Sequence, residues 1–218
     1  MTASKFRAWA ATSAGSPLER LDYDPGELHP EDVEIAVEYC GVCHSDLAMV
    51  DSEWFPATYP LVPGHEIIGT ITAVGAQAKG RTVGQRVGIG WHSKSCCHCN
   101  FCTGGEQNLC TKRQPTIVGR HGGFADKVRA HWGWALPIPE GVDPASAGPL
   151  VCRGGTAFLP FVSHGIKPTD KVGVVGIGGL GHLAVKFARA WGCEVTAFTS
   201  TPSKRDEALL LGAHKTVS

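Results

Sequence analysis

Four cysteines on one short stretch, Cys96, Cys99, Cys102 and Cys110, constrain this chain more than any other feature. Their spacing, C-x2-C-x2-C-x7-C, lets neighbouring thiolates turn towards one ion, and four thiolates close a tetrahedral zinc shell with no position left for water. The expected site is therefore structural. A set of unliganded thiols is the alternative, and density argues against it: five of the nine cysteines fall between Cys96 and Cys110. In a reducing compartment such a count points to metal rather than disulfides, and an odd number cannot pair completely. Cys97 is expected to point away from the ion, and Cys193, beside Gly192, reads as a small buried apolar residue.

The rest of the composition bounds the partners. With 218 residues, 43% hydrophobic and 18% charged, the chain can bury a sizeable core as one large domain, or one domain and part of another. Twenty Lys+Arg balance twenty Asp+Glu. No basic cluster or acidic tail appears, which argues against an electrostatic nucleic-acid or membrane binder. No stretch approaches the length of a membrane span, and the start has no continuous apolar segment. A cytoplasmic location is the expectation.

Two rhythms divide the chain. The first 150 or so residues are β-like: 34–39 alternates apolar and polar, as a strand with one wet face should, and short β-branched runs at 67–74 and 86–89 are bounded by Gly and Pro turns. From Pro168 the pattern changes. Residues 171–176 read as a strand buried on both faces. Leu180, Ala184, Phe187, Ala188 and Trp191 recur at helical spacing, and Gly192 stops that helix. A second strand follows at 195–198, then a helix with Thr201 as N-cap and Pro202 as first residue, ending at Gly212. Strand, helix, strand, helix opens a doubly wound fold. The boundary is expected near 150 to 168, dividing a β-rich domain over 1–153 from the first part of a dinucleotide-binding domain over 154–218.

Two further motifs carry chemistry. Cys43, His65, Glu66 and Cys152 come from three separate segments and together offer two thiolates, an imidazole and a carboxylate, the donor mixture an open catalytic zinc needs. Taken singly, each is more often a core residue. Gly176-Ile177-Gly178-Gly179-Leu180-Gly181 follows a buried strand and opens a helix, so its backbone can approach a pyrophosphate at the helix N-terminus.

Together these segments resemble the zinc-dependent medium-chain alcohol dehydrogenases, in the branch of cinnamyl-alcohol dehydrogenases and bacterial aldehyde reductases. The likeness rests on Cys-Gly-Val-Cys-His-Ser-Asp at 40–46, Gly-His-Glu at 64–66, the four-cysteine loop, and Val-Gly-Val-Val-Gly-Ile-Gly-Gly-Leu-Gly-His at 172–182. It implies a GroES-like, β-rich catalytic domain followed by half of a Rossmann domain. It further implies that Cys43, His65 and Cys152 ligate a catalytic zinc, with Glu66 a neighbouring carboxylate that can replace the zinc water. Cys40 would then be a packing residue, although its spacing from Cys43 leaves it open as the ligand instead. Asp46 is similar to the acid that orients the His65 imidazole. His44 would lie near the cofactor pyrophosphate, and Ser45 would hand on a proton from the zinc-bound oxygen. Where many relatives end that relay on a histidine, this chain has Ala48; the proton leaves by water and cofactor hydroxyls, or the relay is rerouted.

The expected activity is interconversion of primary alcohols and aldehydes with NADP(H) and two zinc ions per chain. NADP is favoured because no Asp or Glu follows the second strand to accept from a ribose hydroxyl; Thr199, Ser200 and Lys204 stand there instead, with Arg205 beyond. Arg205 equally fits the start of an exposed helix. Trp54, Phe55 and Trp91 either line an apolar substrate pocket or belong to the core. Family members continue into a six-stranded nucleotide domain, whereas this chain ends at Ser218, and it reads as C-terminally truncated. A complete parent would be a homodimer. The competing reading is a non-catalytic zinc-binding fragment or remnant.

Overall fold

In the computed structural model of the chain, which describes residues 5–54 and 56–218, alternating apolar residues build the main sheet of a first unit. Strands β1 (Phe6–Ala11) and β2 (Leu18–Tyr23) form an antiparallel hairpin. Next come β3 (Asp32–Gly41), helix α1 (His44–Val50), β4 (Glu66–Val74), β5 (Arg86–Ile89) and β6 (His92–Lys94). A short helix α2 (Asn100–Thr103) and a 3-10 turn lead to β7 (Gln114–Pro115), which pairs antiparallel with β6. The unit closes with β8 (Lys127–His131), β9 (Leu136–Pro137), α3 (Pro144–Ala147) and a 3-10 turn, Gly148–Val151.

Five of these strands form one sheet in the order β8-β3-β4-β5-β9. Val33, Ile35, Ile67, Ile71, Val87, Ile89 and Val128 are buried on its inner side, each contributing about 1.5–3 kcal/mol for the surface removed from water. The expected wet face of β3 is not wet at Glu34, which is 9% exposed. Lys127 Nζ and Arg129 Nη2 on the adjacent β8 each lie 2.9 Å from its carboxylate and cover it. Burial alone would raise the Glu34 pKa, but these two cations outweigh it and hold the group below its usual range.

Three histidines of this unit, His92, His121 and His131, are held below 6.5 chiefly by burial. Burial favours the neutral ring, so below 6.5 the unfolded chain takes up more protons than the folded one. Stability is complete above that pH and falls as pH drops through it. His131 Nδ1 accepts from the Gly133 amide at 3.1 Å, a role an asparagine oxygen can fill without titrating. The urea midpoint is expected to fall between pH 7.5 and pH 5.5, and to fall less in His131→Asn; an equal fall in both proteins would remove His131 from the account.

The second unit begins where the first ends, the chain dividing into Met1–Val151 and Cys152–Ser218. It contains α4 (Arg153–Ser163), β10 (Lys171–Val175), α5 (Gly181–Trp191), β11 (Glu194–Phe198), α6 (Lys204–Leu210) and β12 (Lys215–Val217). The strands pair in parallel in the order β10-β11-β12. Val185, Ala188, Val195 and Ala197 are fully buried between α5 and the sheet. Gly192, in the left-handed region at φ 108°, ends α5 as expected. Two expectations fail. Among the described residues β10 pairs with β11 alone and is not covered on both faces: Val174 is buried but Val175 is 85% exposed. Helix α6 starts at Lys204, with Ser203 at the N-cap position but making no side-chain cap, and not at Thr201-Pro202. The amides of Lys204 and Arg205 bond the carbonyls of Thr201 and Pro202, so those residues form a turn before the helix.

No described helix is long and apolar enough to cross a membrane.

Candidate metal centres and nucleotide site

The first cysteine set lies in the loop between β6 and β7, whose own pairing closes the loop at its base. The Sγ atoms of Cys96, Cys99, Cys102 and Cys110 all lie within 4.8 Å of one another. Cys96 Sγ stands 3.9 Å from Cys102 Sγ and 3.6 Å from Cys110 Sγ. A tetrahedral zinc with metal–sulfur bonds near 2.3 Å needs sulfurs roughly 3.8 Å apart, so the four thiols fit that ion. Backbone amides, first that of His98 and also that of Cys99, point at Cys96 Sγ and lower its pKa to about 6. At Cys99 the amide of Cys102 also pulls down, yet desolvation and the neighbouring sulfurs outweigh it and the thiol rises to about 11. Crowded sulfurs that cannot all ionise alone are what a dication resolves. Cys97 is exposed, turned towards Ser95 at φ 60°, and stands outside the group. Cys193 is buried, its Sγ 3.4 Å from the Lys167 carbonyl.

A second group assembles around the joined ends of β3 and β4. Antiparallel pairing sets Gly41 opposite Glu66, so Cys43, just past β3, reaches His65 and Glu66 at the start of β4. Gly41 leaves room for this: a Cβ there would strike the Glu66 carboxylate. A small residue paired with a motif carboxylate was the available sequence signal, and sequence reasoning missed it. The Gly148–Val151 turn lies against the same strands. A Cβ at Gly148 would meet the Glu66 carbonyl at 2.8 Å, and one at Gly88 the Val151 side chain at 2.7 Å. Cys152 is the next residue, carried one peptide beyond that anchored turn. One ligand atom each from Cys43, His65, Glu66 and Cys152 lies within 4.8 Å of the others. Cys40 is not among them; burial lifts its thiol to about 12, so it stays protonated.

Asp46 ties two of these residues, Cys43 and His65, to one carboxylate. Its Oδ1 lies 2.7 Å from His65 Nδ1 and accepts from the Gly64 amide at 2.8 Å. Its Oδ2 accepts from the Cys43 amide at 3.1 Å, capping α1. With Nδ1 directed to the carboxylate, Nε2 is the His65 atom that suits a metal. Trp91 packs edge-on against the His65 ring with centroids 5.0 Å apart, and Trp54 lies 6.0 Å from Trp91. Phe55 lies outside the described residues. Ser45 Oγ is 3.6 Å from Cys43 Sγ, Ala48 is buried, and His44 is exposed at the first position of α1.

In the second unit a cavity of about 890 Å³ is lined by Gly176 to Gly181 and by Thr199, Ser200, Thr201 and Lys204. Gly176 has φ 84°, and a Cβ at Gly181 would strike the Gly176 carbonyl, so the loop turns tightly into α5. The exposed backbone at Gly178, where nothing lies within 4 Å of a built Cβ, fits a pyrophosphate. Lys204 Nζ donates to the Ile177 carbonyl at 3.1 Å, which holds the cation beside the loop. Thr199 is buried, with its hydroxyl accepting from the Thr201 amide at 3.2 Å; Ser200 is exposed on the same turn.

Residues 29–140 match the profile of the alcohol dehydrogenase GroES-like domain. The chain belongs to the zinc-type alcohol dehydrogenase family. Aldehyde reductase AdhA of Synechocystis is 55% identical over 209 residues, which is 96% of this chain and 62% of that protein. A cinnamyl alcohol dehydrogenase of Sorghum bicolor superposes with a TM-score of 0.93 at 37% identity, over 98% of this chain and 64% of its own. A cinnamyl alcohol dehydrogenase of Helicobacter pylori, solved with NADP(H), gives 0.92 at 32% identity, over 97% and 64%. The chain thus spans a little over three-fifths of these alcohol dehydrogenases. The expected fold class, GroES-like and then Rossmann-type, holds for the part they share.

Proposed function

We propose that this chain forms the zinc-binding and part of the NADP-binding machinery of an oxidoreductase that interconverts primary alcohols and aldehydes. The observation that carries the reading is the convergence of Cys43, His65, Glu66 and Cys152 from three segments. A mixed set with a carboxylate is what an ion open to substrate requires, whereas the four-cysteine loop is closed. Residues 1–153 are assigned to the catalytic domain and 154–218 to nucleotide binding, with two zinc ions per chain. The number of reduced thiols suits the cytoplasm.

When bound, zinc supplies Lewis acidity to a substrate oxygen, and the nicotinamide supplies the hydride. The chain's own residues do the rest. Asp46 fixes the tautomer and direction of His65. Glu66 places a buried carboxylate beside the ligands. Ser45, next to Cys43, moves a proton between the substrate hydroxyl and solvent. His44 is assigned to the pyrophosphate. Ser200, on the turn that Thr199 organises, and Lys204, at the start of α6, are assigned to the 2′-phosphate.

Metal analysis of reconstituted protein, paired with turnover of an aromatic aldehyde with NADPH, tests the reading. Two zinc ions and turnover are expected; one zinc at saturation would overturn the two-site assignment, and two without turnover would leave a binding module. For the cofactor, Lys204→Ala is expected to weaken NADP binding roughly ten- to a hundredfold, one charge-assisted bond, while leaving NAD nearly unchanged. Thr199→Asp should move preference towards NAD by repelling the phosphate. Equal dissociation constants for NAD and NADP in the unmodified protein would refute this choice.

A further inference from the structure

We propose that Arg153 is a ligand of the dinucleotide pyrophosphate, a role that no motif in the sequence signals. The inference rests on the reading of the glycine loop as the nucleotide site. Arg153 is the first residue of α4, within the second unit. Its guanidinium lies across Gly179: a Cβ built there would meet Arg153 Nη1 at 2.8 Å, Cδ at 3.2 Å and Cζ at 3.7 Å. Gly179 therefore does more than complete a glycine-rich turn. Any side chain at this position would push the guanidinium off the loop, so the glycine is what lets Arg153 approach.

The charge pattern supports the same role. Two cations touch the loop, Arg153 at Gly179 and Lys204 at the Ile177 carbonyl, and the cavity lining contains no acidic residue. A dinucleotide with a 2′-phosphate presents two separate anionic groups. Lys204, the first residue of α6, is assigned to the ribose end, and Arg153, over Gly179 just before α5, to the pyrophosphate. A planar guanidinium can bond two phosphate oxygens at once, and the backbone amides of the helix N-terminus take others.

Binding of NADP+ and of 2′-AMP, which has the 2′-phosphate but no pyrophosphate, separates the two cations. Arg153→Ala and Arg153→Gln are expected to weaken NADP+ binding on the order of ten- to a hundredfold, the loss of one or two charge-assisted bonds. Both should leave 2′-AMP unchanged, and Arg153→Lys should recover part of the loss. Lys204→Ala should weaken both ligands. NADP+ bound equally or more tightly by Arg153→Ala and Arg153→Gln would overturn the proposal, as would a matching loss for 2′-AMP. If the unmodified chain binds neither ligand, the nucleotide-site reading itself fails together with the inference. If it binds both and the Arg153 variants behave as wild type, only the inference fails.

Discussion

Cys99→Ser is expected to lower the thermal midpoint by roughly 10 °C or more, because a metal loop that has lost one thiolate forfeits on the order of 5 kcal/mol of metal-linked folding energy. The estimate follows from geometry. The loop from β6 to β7 has little apolar core of its own: Cys102 and Cys110 are buried, but Phe101 and Leu109 are exposed. Four sulfurs with spacings near those of a zinc tetrahedron replace that missing core. Chelation of the wild-type protein should produce a similar fall, reversed by added zinc. A midpoint unchanged by both treatments would show that the loop holds itself without metal.

The second large effect is opposite in kind. Cys43→Ser is expected to abolish turnover, by at least about a thousandfold if the Lewis acid is lost, and to remove one of two zinc ions, while the thermal midpoint moves by only a few degrees. Cys43 is half-buried at the edge of α1 and packs in none of the apolar clusters, so its loss opens no cavity. Retention of both ions in Cys43→Ser, or unfolding as severe as in Cys99→Ser, would contradict the division into a chemical and a structural site.

These two cysteines also mark what was legible in the sequence. The four-cysteine loop and the glycine loop are local patterns, readable because their residues are neighbours along the chain. The Cys43 group depends on pairing across β3 and β4 and on the turn before Cys152, so the residues alone gave a donor set suited to an open zinc, and the likeness to a family then assigned the ligands and the role of Glu66 within it. β5 and the stop of α5 at Gly192 came out at their observed places because alternation and left-handed glycine act locally. Glu34 did not: its burial depends on Lys127 and Arg129, more than ninety residues away. The start of α6 was misplaced because the turn amides of Lys204 and Arg205 compete with capping at Thr201. Arg153 had no signal at all, since only the fold lays it over Gly179.

The double duty of Asp46 has a kinetic consequence. One carboxylate caps a seven-residue helix through the Cys43 amide and also clamps His65. A helix that short is marginal by itself and frays readily without its cap. Each opening of α1 would therefore swing Cys43 away at the moment the imidazole loses its anchor, and two ligands would let go in one event. Release of an ion from this group would follow the breathing of α1, and its off-rate should track hydrogen exchange at the Leu47 to Val50 amides rather than the concentration of a competing chelator.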